Sequence, residues 1–188
     1  MTVTCTVTGP QLLQAASHGD TSKVRTLLSV EGAQSFINYQ DATGTTPLNM
    51  AARRGHAPVA ELLIAARCNV DLHDTEGYTP IHRAAFEGHE VVADKLILAH
   101  CNLDLPLQNE QIGARWNEHT GTPLCMAIFC GNTVIAEKLI AARCNVDLHH
   151  NNLPTPLQLA GGLVLSIINM YLTPMVSCHS RGILEHPT

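Results

Sequence analysis

The chain has 188 residues, 45% of them apolar and 14% charged, which allows one domain with a substantial core and excludes a largely disordered polypeptide. Its formal net charge is only −5 and its basic residues are scattered, so the electrostatic footprint of a DNA or RNA binder is missing.

From Met1 to Pro10 there is neither a basic n-region nor a long apolar core, so no secretory leader is expected, and residues 1–8 read as an N-terminal extension. The first unit, 9–40, sets Leu12, Leu13, Ala15 and Ala16 before Gly19, then Val24, Leu27 and Leu28. That pattern predicts two short helices that turn back at a glycine and bury one face each. Three more residues lie between Leu28 and Asn38 than in the next copy, which predicts a longer exit loop.

The second unit, 41–73, begins a ladder of Thr46-Pro47-Leu48, Thr79-Pro80-Ile81, Thr122-Pro123-Leu124 and Thr155-Pro156-Leu157, with steps of 33, 43 and 33 residues. A fixed period of that length means a repeat array, and the middle step is one period plus a ten-residue insertion. Threonine is a good N-cap, and proline at the first helical position gives up no needed N–H, so each Thr-Pro predicts a helix start. Gly55, Gly88 and Gly131 keep the same steps where that helix must stop, as do Asn69, Asn102 and Asn145. The segment Leu63 to His73 returns almost unchanged at Leu139 to His149. Full units therefore span 41–73, 74–107 and 119–150.

An inserted loop, 108–121, separates the third and fourth units and holds the only tryptophan, Trp116. Insertions in repeat proteins map to loops on one face, which often binds. Trp116 either serves that face or folds back on the stack. A partial unit, 151–160, starts correctly and then breaks at Gly161-Gly162. The tail 161–188 opens with a strongly apolar run, and no charged residue lies between Asp147 and Arg181. Three readings of the tail stay open: a degenerate cap over the fourth unit, a membrane-apposed segment, or a divergent end of a longer protein.

The run Asp74-Thr-Glu-Gly77-Tyr-Thr79-Pro80-Ile-His82-Arg-Ala84-Ala85-Phe-Glu-Gly88-His89, followed by Val91, Val92, Leu96 and Ile97, resembles the ankyrin-repeat family, and the resemblance covers about residues 9 to 160. It implies an all-α ankyrin-repeat solenoid, built of helix-turn-helix repeats joined by hairpin loops. One departure recurs: the usual glycine after the second helix is Arg67, His100 and Arg143 here. A non-glycine residue in a left-handed cap costs on the order of 1 kcal/mol, so either the repeats are less stable or the turn differs. Cys68, Cys101 and Cys144 stand where the family usually has alanine, and they read as small core residues in a reducing compartment.

Eleven histidines and seven cysteines raise the question of a metal, but no Cys-x-x-Cys or His-Glu-x-x-His pattern exists. The resemblance instead gives His56, His82 and His89 hydrogen-bonding roles within or between repeats. No glycine-rich phosphate loop is present, and no nucleophile is paired with a base, so neither catalytic residues, a cofactor nor a metal is expected.

What the resemblance implies is a monomeric, non-enzymatic protein–protein interaction module, an adaptor or scaffold in the cytoplasm or nucleus. Its partner is another protein, held by hairpin tips and the concave helix face. The matching positions include Thr45, Arg53 and Arg54 in the second repeat, Glu76, Tyr78, Phe86 and Glu87 in the third, and Phe129 in the fourth, with Trp116 above them. Phe86 and Phe129 are equivalent, so they either form one apolar strip or pack inside the groove. The resemblance also implies a modification, hydroxylation of the hairpin asparagine Asn38. Two alternatives remain: a membrane-associated protein anchored through its apolar C-terminal segment, or a regulatory fragment of a larger ankyrin-repeat protein.

Overall fold

The computed structural model describes residues 8–107, 121–148 and Thr155. The N-terminal extension up to residue 7, nearly all of the inserted loop with Trp116, the partial repeat apart from Thr155, and the apolar tail lie outside the described residues. Among the described residues there are eight α-helices and no strand. They form four pairs: α1 Gly9–His18 with α2 Thr21–Leu28, α3 Pro47–Arg54 with α4 Ala57–Ala65, α5 Pro80–Glu87 with α6 Glu90–Leu98, and α7 Pro123–Phe129 with α8 Thr133–Ala141. The longer exit from the first pair contains a 3-10 turn, Ala33–Ser35, and Gln34 Nε2 from that turn donates to the Ala66 carbonyl at 2.8 Å.

Helices begin where Thr-Pro predicts them. Thr46 Oγ1 accepts the Asn49 N–H at 3.0 Å and Thr122 Oγ1 accepts the Cys125 N–H at 3.3 Å, which satisfies donors that have no partner inside the helix. The first helix of the second pair ends at Gly55, whose φ is 73°. A Cβ there would also come within 2.7 Å of the His89 ring, so glycine serves both the left-handed turn and the approach of the next repeat. Second helices end on Arg67, His100 and Arg143 with φ of 62°, 56° and 65°. The turn is thus the left-handed one, made without glycine.

First helices pack on one another in the order α1, α3, α5, α7, and second helices in the order α2, α4, α6, α8, giving two layers. Equivalent residues from each repeat fill the space between them. Leu12, Leu48, Ile81 and Leu124 come from the first helices, and Leu27, Leu63, Leu96 and Leu139 from the second, all buried. The pairs Ala15-Ala16, Ala51-Ala52 and Ala84-Ala85 are fully or almost fully buried, and their small side chains let the first helices approach closely. Cys68, Cys101 and Cys144 are buried with this core.

Three sets of polar bonds fix each repeat on the next. His56 Nε2 lies 3.2 Å from the Ser17 carbonyl and His89 Nε2 lies 3.2 Å from that of Arg53. In the fourth repeat Asn132 takes this position and donates to the Ala85 carbonyl at 2.7 Å. At the hairpin bases, Asn38, Asp71 and Asp104 accept the backbone N–H of Asn69, Asn102 and Asn145 at 2.7–2.8 Å. Along the second-helix layer, Lys95 pairs with Glu61 at 2.9 Å and Lys138 with Asp94 at 2.6 Å. No helix among the described residues is long and apolar enough to cross a membrane.

Candidate interaction surface

Positions three and four apart on a helix share a face, and on each first helix such a set points away from the core. In α3 it is Met50, Arg53 and Arg54; in α5, Arg83, Phe86 and Glu87; in α7, Met126, Phe129 and Cys130. Because the helices stack in register, these sets form rows along the molecule. Arg53, Arg54 and Glu87 are exposed, Phe129 is 46% exposed, and Phe86 is half-buried against the core. Phe86 and Phe129 therefore occupy equivalent places on adjacent helices, with Phe129 the more open of the two.

The hairpin tips beside this face are held by their own side chains. Asp41 Oδ1 accepts from the Thr43 and Thr45 N–H groups, both at 2.9 Å, and from the Thr43 hydroxyl at 2.7 Å. Burial pushes this carboxyl up, but the Thr43 hydroxyl and the Thr45 and Thr43 amides outweigh it and hold it below its usual value. One repeat on, Asp74 Oδ1 accepts from the Glu76 and Tyr78 N–H groups at 3.0 Å. The tips also join each other, since the Thr75 N–H and hydroxyl both donate to the Thr43 carbonyl at 2.9 Å. Loops fixed in this way lose little freedom on binding.

Arg83 locks the third tip to its helix. Its guanidinium bonds Asp74 Oδ2, through Nε at 3.1 Å and through a terminal nitrogen, and reaches Glu76 at 2.8 Å. It also lies flat over Tyr78, 4.0 Å from the ring centroid. Burial acts to lower its pKa, but the bonds from Asp74 and Glu76 more than reverse that.

This arrangement corrects one expectation: Tyr78 is 5% exposed and offers no open aromatic anchor. It sits where the hairpin returns to the stack, with Arg83 covering its ring. Of the other expected positions, Thr45 is half-buried in the Asp41 turn, and Glu76 is exposed but ion-paired to Arg83. Arg53, Arg54, Glu87 and Phe129 are open, and Trp116 lies outside the described residues. The sequence reading missed Asp41, Asp74 and Arg83. The signal for the two aspartates was present, because they stand 33 residues apart and each lies five residues before a Thr-Pro.

Asn49 and His82 occupy the position two after the proline. Asn49 Nδ2 donates to the carbonyls of Leu72 and Tyr78 at 3.2 and 3.4 Å. His82 Nδ1 accepts from the Thr79 N–H at 3.3 Å, which leaves the proton on Nε2. That nitrogen faces the Leu105 and Gly121 carbonyls, the equivalents of the two that Asn49 uses, without reaching hydrogen-bond geometry. Burial drives the His82 pKa down to about 3, so the ring is neutral at physiological pH.

Asn38 is exposed, with its carboxamide oxygen taken by the Asn69 N–H. Burial pushes the thiols of Cys68, Cys101 and Cys144 up to about 12, which keeps them protonated and unreactive at neutral pH. Among the described residues no three His, Cys, Asp or Glu side chains are grouped to hold a metal ion.

Against known protein families, the model for ankyrin repeats (three copies) matches residues 12–109, just over half of the chain. The matched span covers the first three helix pairs and both hairpin tips described above.

Proposed function

Since the chain belongs to the ankyrin-repeat family, whose repeats are generally protein–protein interaction modules, we propose that it is a non-enzymatic adaptor or scaffold that binds another protein through its hairpin tips and the exposed face of its first helices. The observation that carries this reading is the contrast on that face between a rigid frame and open side chains. Asp41, Asp74 and Arg83 are occupied in holding the tips, whereas Arg53, Arg54, Glu87 and Phe129 stand exposed beside them. Exposed arginine and aromatic residues on a fixed backbone are the types that dominate interface energetics.

A monomer in the cytoplasm or nucleus is part of the same proposal, supported by the free cysteines Cys68, Cys101, Cys125, Cys130 and Cys144. Hydroxylation of Asn38 is proposed on its exposure and would appear as a mass increase of that peptide after treatment with an asparaginyl hydroxylase.

The test compares two faces of one molecule. Phe129→Ala together with Arg53→Ala, on the first-helix layer, should abolish recovery of specific partners from cells and leave the thermal midpoint nearly unchanged. Val91→Ser, at an exposed site on the second-helix layer, should keep both. Loss of partners with the second variant and not the first would refute the assignment.

A further inference from the structure

The exposed face changes character along the stack. On α3 it presents Arg53 and Arg54, and neither guanidinium has an ion pair or acceptor among the described residues. In a chain of net charge −5 this pair is a local reversal of sign. One helix on, α5 presents Phe86 beside Glu87, and α7 ends in the exposed Phe129. The nearest other cation, Arg83, is already held by Asp74 and Glu76. Basic side chains in the last turn of α3 also favour that helix's own dipole, but this does not account for the apolar surface next to them.

Resting on the protein-binding reading above, we infer that this face takes an extended segment of a partner protein, with a short acidic run against Arg53 and Arg54 and apolar side chains against Phe86 and Phe129. Guanidinium groups pair with carboxylates in two-point fashion, which gives the acidic end its specificity. Packed helices lie about 9 Å apart and an extended chain advances about 3.3 Å per residue. The apolar side chains therefore fall about three and about six residues from the acidic run. Glu87 repels an acid placed among them, which fixes the register of the segment.

The test is selection of a phage-displayed random library, with peptides of about 12 residues to span the distance from α3 to α7, on the immobilised full chain. Enriched peptides should combine an acidic run with apolar residues at those spacings. Replacing the acids of a selected peptide by amides, or its apolar residues by serine, should weaken binding to the unmodified chain about tenfold or more. On the protein, Arg53→Glu with Arg54→Glu should release the acidic preference and Phe129→Ser the apolar one, each with an unchanged circular dichroism spectrum. Peptides that lack this pattern yet are lost with Phe129→Ser or Glu76→Lys overturn the inference and leave the protein-binding reading standing. Binding that polyglutamate competes regardless of the apolar positions also overturns it. Peptides indifferent to every substitution on this face overturn both.

Discussion

At Arg67, His100 and Arg143 a β-carbon is carried through a left-handed turn that costs glycine nothing. Arg67→Gly should therefore stabilise the chain by about 0.5–1 kcal/mol, read as a higher urea midpoint at constant slope. A lower midpoint would show that the arginine side chain contributes more than its backbone costs. His82 makes a second residue-scale case. The unfolded imidazole takes up a proton below about 6.5, whereas burial keeps the folded ring neutral down to about 3. Across that window the unfolded state binds more protons, so the stability from His82 is complete above 6.5 and is lost as pH falls toward 3. Between pH 6.5 and 5 the loss is on the order of 1–2 kcal/mol. In His82→Asn, which copies Asn49, denaturation at those two pH values should show most of this difference gone. An unchanged difference would place the sensitive group elsewhere.

Among elements, the junction between successive helix pairs is the tightest joint. Gly55 is left-handed and meets the His89 ring, whose Nε2 bonds the Arg53 carbonyl. Gly55→Ala should cost about 2 kcal/mol or more, since the added methyl group both strains the turn and displaces the ring. Thermal denaturation checks this, and a change of a few tenths would mean that the joint yields easily. The joint was half-legible in sequence. Gly55 and His56 keep step with Gly88 and His89, so a repeated role was plain. That each histidine reaches back to the preceding repeat follows only from the stacking, because its partners are backbone carbonyls, which leave no mark in a sequence. The helix starts, by contrast, were legible through Thr-Pro, where the chemistry is local. The burial of Tyr78 was not legible, since it depends on Arg83, five residues along, folding back to Asp74.

At the scale of the molecule, two layers of helices divide the work. The second layer carries the cross-repeat pairs Lys95–Glu61 and Lys138–Asp94, exposed ion pairs that contribute little individually. The first layer and its tips carry open arginines and a phenylalanine on a frame fixed by buried aspartates. Repetition made the frame readable and also hid the site, because what distinguishes one ankyrin protein from another is the residue placed at an equivalent exposed position. Hydrogen exchange on the full chain with and without a bound partner segment tests the division directly. The account predicts new protection in the tips and at the ends of α3, α5 and α7, around Thr43, Arg54, Thr75, Glu87 and Phe129, with α4, α6 and α8 unchanged. Protection confined to α4, α6 and α8 would contradict it.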